Sequence, residues 1–222
     1  MTFQYYASHP GVTNPEEHRV KYILENDIRL MISAEHWGYP FVNYAVDNGA
    51  WTDYVRKQPF NHVRFSKVLE KIKQQETQPD FIVLPDIVRG GVKSLELSVS
   101  YLNVADNFPC YFAIQDGITQ DMISPDILEA VNGFFIGGSN VWKWRVMDSW
   151  VTFAHEHRKK IHVGKIGTLR DFLKCAASSV DSADGSTLIR HHREKDISRY
   201  VGIIREQRSI TPDFCPAKEE KA

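Results

Sequence analysis

The sequence predicts an α/β fold: a compact or irregular (β/α)8 TIM-type barrel in a single domain. Short apolar runs rich in β-branched residues recur along the chain and end in Gly, Pro or Asp, as strands buried on both faces do, and helical patterns fill the intervals between them. Such alternation implies a parallel sheet, and seven or so strands without a break point to closure rather than to an open sheet. The chain has 222 residues, fewer than the roughly 250 of the usual barrel, hence the expectation of a trimmed one.

The strand-like runs are "DIRLMISA" (27–34), "FVNYAVDNG" (41–49), "DFIVLPDIV" (80–88), "CYFAIQDG" (110–117), "GFFIGGS" (133–139), "KIHVGKIG" (160–167) and "SSVDSADG" (178–185). Between them, "NHVRFSKVLEKIKQQ" places Phe65, Val68, Leu69 and Ile72 on one helical face, and "GVKSLELSVSYLNVA" does the same for Leu95, Val99 and Leu102. "SPDILEAV" opens with Ser124 as N-cap and Pro125 at the first helical position. In "TLRDFLKCAA" the start falls at Thr168, with Leu169, Phe172, Leu173 and Ala176 turned to the core. No repeat or linker interrupts residues 1–212, and residues 213–222 read as a flexible tail.

Composition excludes several classes of function. Lysines and arginines number 27 against 28 acids, so the chain has no overall basic excess and any basic face must be local. The three cysteines, Cys110, Cys175 and Cys215, show neither CxxC nor CxC spacing, which argues against a disulfide framework and a thiolate zinc site. The N-terminal stretch lacks a signal-type apolar core, and no segment approaches the roughly 20 apolar residues of a membrane span. The expectation from these observations is a soluble, cytoplasmic protein with no membrane partner.

In a parallel barrel the functional groups gather at the C-terminal ends of the strands. Here those ends carry Asp47-Asn48-Gly49, Pro85-Asp86, Gln115-Asp116-Gly117, Gly137-Gly138-Ser139, Gly164, and Asp181 with Asp184. Asp and Gly are ordinary turn residues, but four separate strands ending in acids ask for more. Unpaired buried carboxylates are costly and clustered ones more so, so a pocket built of them suits a ligand that donates hydrogen bonds or carries positive charge; a purine-like edge with N–H donors would do. Gly137 and Gly138 leave backbone open to a flat ring, and small residues surround Asp181 and Asp184.

A second constellation interleaves cations with aromatics: Trp142, Lys143, Trp144, Arg145, Arg158, Lys159 and Lys160, with Arg190 further on. It suits a phosphate backbone with stacked bases. Equally, the tryptophans can pack a helix and the basic run can be a solvated face. His162, within a strand, reads as a packed residue or one supporting a catalytic group.

"DNGAW", "LPDIV", "AIQDG", "FFIGGS", "HVGKI" and "SSVDSADGS", in that order and spacing, resemble the tRNA-guanine transglycosylase superfamily, and most of all its short virus-encoded branch, the DNA 7-deazaguanine transglycosylases (the DpdA family). The resemblance runs from about Asp47 to Gly185. It implies exchange of guanine in DNA for a 7-deazaguanine base. Asp47 then acts as general acid and base over the base, Asp86 reads its N–H edge with Gln115 beside it, and Gly138 offers a backbone amide to its carbonyl, with Gly137 and Asn48 in the same pocket. The Asp-x-x-Asp spacing matches the family's nucleophile motif and points to Asp184, with Asp181 the competitor. The chain lacks the Cys, Cys, Cys, His zinc pattern of the tRNA enzymes, and Asn48-Gly49-Ala50 replaces their Ser-Gly-Gly; both departures favour the DNA branch.

Base exchange with retention takes two displacements at C1′, one by a carboxylate and one by the incoming base, and needs neither metal nor redox cofactor. The partners expected are DNA with a flipped or single-stranded guanine, and a free 7-deazaguanine such as preQ0. Whether the chain forms a homodimer is left open. The alternatives are tRNA as substrate, a glycosidase that only hydrolyses, a non-catalytic nucleic-acid-binding module, and a barrel aldolase or isomerase using Lys165.

Overall fold

The computed structural model describes residues 3–8, 18–35, 37 and 42–186, and beyond them residues 199, 202, 203 and 206. Eight parallel strands close into one barrel in sequence order: β1 (Gln4–Ser8), β2 (Arg29–Ser33), β3 (Tyr44–Asp47), β4 (Ile82–Val83), β5 (Cys110–Ile114), β6 (Gly133–Ile136), β7 (Lys160–Val163) and β8 (Ser182–Gly185). The barrel closes where Tyr6 of β1 pairs with Asp184 of β8. Its small size follows from strands of two to five residues. Outside it run α1 (His18–Glu25), α2 (Ala50–Val55), α3 (His62–Lys73), α4 (Val92–Val99), α5 (Pro125–Ala130), α6 (Asn140–Glu156) and α7 (Leu169–Ala177). Among the described residues no helix is long and apolar enough to cross a membrane.

Period-two alternation sorts the strand residues into two cores. Leu30, Ile32, Val46, Ile82, Phe112, Ile114, Phe134, Ile136, Ile161 and Val163 face outward and pack under the helices. Tyr6, Met31, Ala45, Phe81, Val83, Tyr111 and Ala113 face inward, with Phe135 packed against them. The interior is an aromatic floor: Phe81 stacks on Tyr111 at 3.9 Å, and Phe135 on the buried ring of His162 at 5.1 Å. The same parity carries Asp47 above Ala45 and Asp184 above Ser182 on the inner face, at the C-terminal mouth.

All seven anticipated runs hold strands, and β1 is an eighth that the run pattern did not single out. Ser124 caps α5 by accepting from the Ile127 N–H with Pro125 behind it, and Thr168 caps α7 in a reciprocal capping box with Asp171. Two helix faces differ from expectation. In α7 Phe172 and Cys175 are buried while Leu173 is exposed. In α4 the buried residues are Ser94 and Ser98, and Val99 is exposed. The reason is polar: Ser98 Oγ donates to the Pro85 carbonyl at 2.8 Å and Ser94 Oγ accepts from the Ile87 N–H at 3.1 Å, satisfying backbone groups on either side of Asp86. The anticipated tail, 213–222, lies outside the described residues.

Candidate active site at the barrel mouth

Asp47 ends β3, and its Oδ1 accepts from the Gly49 N–H at 2.7 Å. That contact needs Gly49 at φ +84°, in the left-handed region. Arg64 locks the turn from outside: its Nη2 donates to the Gly49 carbonyl at 3.0 Å, while Asp53 and Glu35 accept from the same guanidinium. Burial pushes the Asp47 carboxyl up to about 7; the charges of Asp184 and Asp86 act in the same direction, against the Gly49 hydrogen bond and Arg64. Near neutral pH this group exists in both protonation states, as an acid that must give and later retake a proton requires.

Asp86 follows β4 and is 5% exposed. Asn48 Nδ2 donates to its Oδ1 at 2.7 Å and Gln115 Nε2 to its Oδ2 at 2.5 Å. Burial pushes its carboxyl up to about 6, with those two amide bonds opposing the rise. Each oxygen keeps a second lone pair for a donor edge. Asn48 and Gln115, anticipated as ligand contacts, are braces: Asn48 also donates to the Leu84 carbonyl and accepts from the Ala50 N–H, and Gln115 Oε1 accepts from the Arg89 N–H. Gly137 has the same logic, since a Cβ there would lie 2.4 Å from Gln115 Nε2. At Gly138, φ +74°, a Cβ would meet Asp116 Oδ2 at 2.5 Å. Asp116 in turn accepts from the Ser139 N–H and hydroxyl at the start of α6.

Asp184 is anchored through one oxygen. Its Oδ1 meets His162 Nε2 at 3.1 Å and the Lys165 N–H at 3.1 Å, whereas Oδ2, among the described residues, accepts only from Ser8 Oγ at 3.3 Å. An ionised carboxylate only accepts, so Nε2 carries the proton and Nδ1 takes the Ser182 hydroxyl at 2.8 Å. Burial holds the His162 pKa below its usual value, so the ring is neutral.

Asp181 is not part of this mouth. It precedes β8 and lies at the N-terminal end of the barrel, where it accepts from the Ile161 N–H at 2.9 Å and pairs with Lys160 and His155, each at 3.0 Å. The sequence placed both acids at one strand end; four residues of strand separate the two ends, and a three-residue offset crosses it.

The anticipated nucleic-acid contacts divide in the same way. Arg158, Lys159 and Lys160 follow the C-terminus of α6 and sit at the bottom of the barrel, with Lys159 Nζ donating to the Val131 carbonyl. Lys143 is 1% exposed and faces the core; Arg145 is exposed in the second turn of α6, and Arg190 lies outside the described residues. Trp142 is buried, so this tryptophan packs the helix.

Around the mouth itself stands a set of which the sequence singled out only Lys165, and for another role. Trp51 and Tyr54 of α2 are 46% and 41% exposed, with ring centroids 5.6 Å apart. Lys165 Nζ lies 3.0 Å from the Trp51 centroid, and the Arg89 guanidinium lies over Tyr54. Aromatics at i and i+3 of a helix starting directly after "DNG" were the available signal.

No family model matches this chain, and no curated protein sequence matches it. Among solved structures it is similar to 3-hexulose-6-phosphate synthase from Salmonella typhimurium, at 12% identity and a TM-score of 0.53 over 93% of this chain and 99% of that one. It is also similar to the native KDPGal structure, at 11% identity and a TM-score of 0.56 over 95% and 97% of the two chains. At such identities the likeness establishes the barrel fold.

Proposed function

We propose that this protein is a base-exchange enzyme that replaces guanine in DNA with a 7-deazaguanine base. The observation that carries the reading is the division of labour among Asp47, Asp86 and Asp184: one acid poised near neutrality, one braced to receive donors, and one anchored by Oδ1 with Oδ2 turned to the mouth. In the first step Asp184 Oδ2 attacks C1′ of the deoxynucleotide and the C1′–N9 bond breaks. Its electron pair passes to guanine N9, which takes the proton of Asp47. In the second step Asp47 takes the N9 proton of the incoming base as that nitrogen attacks C1′ and displaces Asp184. The two inversions give net retention.

Asp86 supplies selectivity, since its carboxylate accepts from the amino and imino groups of a guanine-type edge and leaves adenine unsatisfied. Trp51, Tyr54, Lys165 and Arg89 support the nucleic-acid part of the reading, because exposed rings with adjacent cations offer stacking and phosphate contacts where a flipped or single-stranded nucleotide would enter.

The test is incubation of the protein with DNA, and separately with tRNA, carrying labelled guanine, with and without preQ0. Label release from DNA that requires preQ0 and is lost in Asp184→Asn supports the proposal. Release without a base would make the protein a hydrolase, release from tRNA alone would move the substrate, and no release would leave a binding module.

A further inference from the structure

Lys143 is the deepest cation of the described residues, yet neither displacement uses it. It lies on α6 in register with Met147, Trp150 and Ala154, all buried, and its ammonium donates to the Gly164 carbonyl beneath the mouth. The Gly164–Lys165 peptide is trans and planar, so its carbonyl and N–H point to opposite edges. On the far edge the Lys165 N–H donates to Asp184 Oδ1 at 3.1 Å. Ammonium, peptide and carboxylate therefore form one line, and the middle member is held rigidly. Lys165 sits at φ +57°, while the Ile166 N–H bonds the Asp184 backbone carbonyl at 2.7 Å, wrapping the loop around that acid.

We propose that Lys143 is a positioning residue that acts on Asp184 through the Gly164–Lys165 peptide, its charge polarising the carbonyl so that the amide on the other side becomes a stronger donor to Oδ1. Charge-assisted hydrogen bonds are shorter and stronger than neutral ones, and bonds in a chain polarise one another. The consequence is that Oδ1 stays engaged and Oδ2 is the oxygen presented to the sugar. Burial brings the Lys143 pKa down to about 8, with the Asp184 charge opposing that fall. Cys175, Lys165 and Asp171 also act on it, and from β7 so does His162, whose own pKa the Lys143 charge lowers. Lys143 is therefore mostly charged at neutrality, and the polarisation is lost above about pH 8.

The role of Asp184 as nucleophile rests on the function proposed above; the relay itself can be read without substrate. The sequence contains a single Gly-Lys dipeptide, Gly164-Lys165. Labelling glycine with carbonyl 13C and lysine with amide 15N therefore isolates this one peptide in an NMR spectrum. In the wild type the Lys165 amide proton should move upfield with a midpoint near pH 8, and the movement should vanish in Lys143→Met and in Lys143→Gln, of which the second keeps a donor without the charge. In the guanine-release assay both variants should lower kcat by about tenfold or more with KM unchanged. A wild-type amide that does not titrate, or a titration that survives in either folded variant, overturns the relay. So does a variant effect confined to KM. Should neither variant fold, the wild-type titration decides alone. A titrating amide in a protein that releases no guanine would uphold the relay and reject the proposed function.

Discussion

Asp181 and Asp184 are three residues apart and face opposite ends of the barrel: Asp181 ties the bottom of β7 through Ile161 and Lys160, and Asp184 stands at the mouth against His162. The two acids are thus separable by experiment. Asp181→Ala leaves the Ile161 N–H without its acceptor and should cost about 2 kcal/mol of stability, with guanine release per folded molecule unchanged. Asp184→Asn should keep the melting temperature within a few degrees and abolish release. Thermal unfolding and the release assay, run on both variants, check the pair.

Asp47 links the site to stability. Its carboxyl is raised from 3.8 to about 7, so the stability associated with its protonated form is complete below about pH 4 and lost as pH rises through about 7. Asp47→Asn keeps the acceptor for the Gly49 N–H and removes the charge. At pH 8 it should be more stable than the wild type by about 1–2 kcal/mol, allowing for solvent screening at the mouth, and the gain should shrink toward pH 4. Release should fall about a hundredfold or more. Denaturant unfolding at pH 5 and pH 8 reads the first effect.

Most of the barrel was legible because seven strands are apolar runs of a length only a strand explains. β1, Gln4–Ser8, was not, since "QYYAS" is short and its apolar content is one alanine and two tyrosines whose hydroxyls find partners at Gly185 and Asp80. Asp47, Asp86 and Asp184 were legible from strand ends, where inward parity at the mouth coincides with a polar residue. Asp181 was misplaced because period-two parity sets the face of a strand and says nothing of how far along the barrel a residue lies. Lys143 was read as a surface cation from its charged neighbours, although the i, i+4, i+7, i+11 spacing to Met147, Trp150 and Ala154 already put it on the core face. The Ser94 and Ser98 contacts to the Asp86 loop, and Arg64 behind Gly49, are tertiary matches with no signal in their own segments.

The proposed function sets the two basic or aromatic patches apart. Trp51→Ala should weaken binding of a single-stranded oligonucleotide by about 1–3 kcal/mol, the contribution of one stacked base. Lys159→Ala combined with Arg158→Ala, at the bottom of the barrel, should leave it unchanged. Fluorescence anisotropy at fixed salt compares them; the reverse ranking would move the nucleic-acid face to the other end of the barrel.

Gly137 should be intolerant of even one methyl group. Its Cβ would displace Gln115 from Asp86, so Gly137→Ala should lose guanine-over-adenine discrimination by about tenfold or more. Gly167→Ala, where nothing among the described residues lies within 4 Å of an added Cβ, should behave as wild type. Competition between the two bases in the release assay checks both.

The most direct test of the account is mass spectrometry of the protein after incubation with guanine-containing DNA and no acceptor base. A covalent DNA adduct on the peptide carrying Asp184, which disappears when preQ0 is added and never forms with Asp184→Asn, is the expected result. Guanine exchange without any such adduct, or an adduct on Asp47 or Asp181, would contradict it.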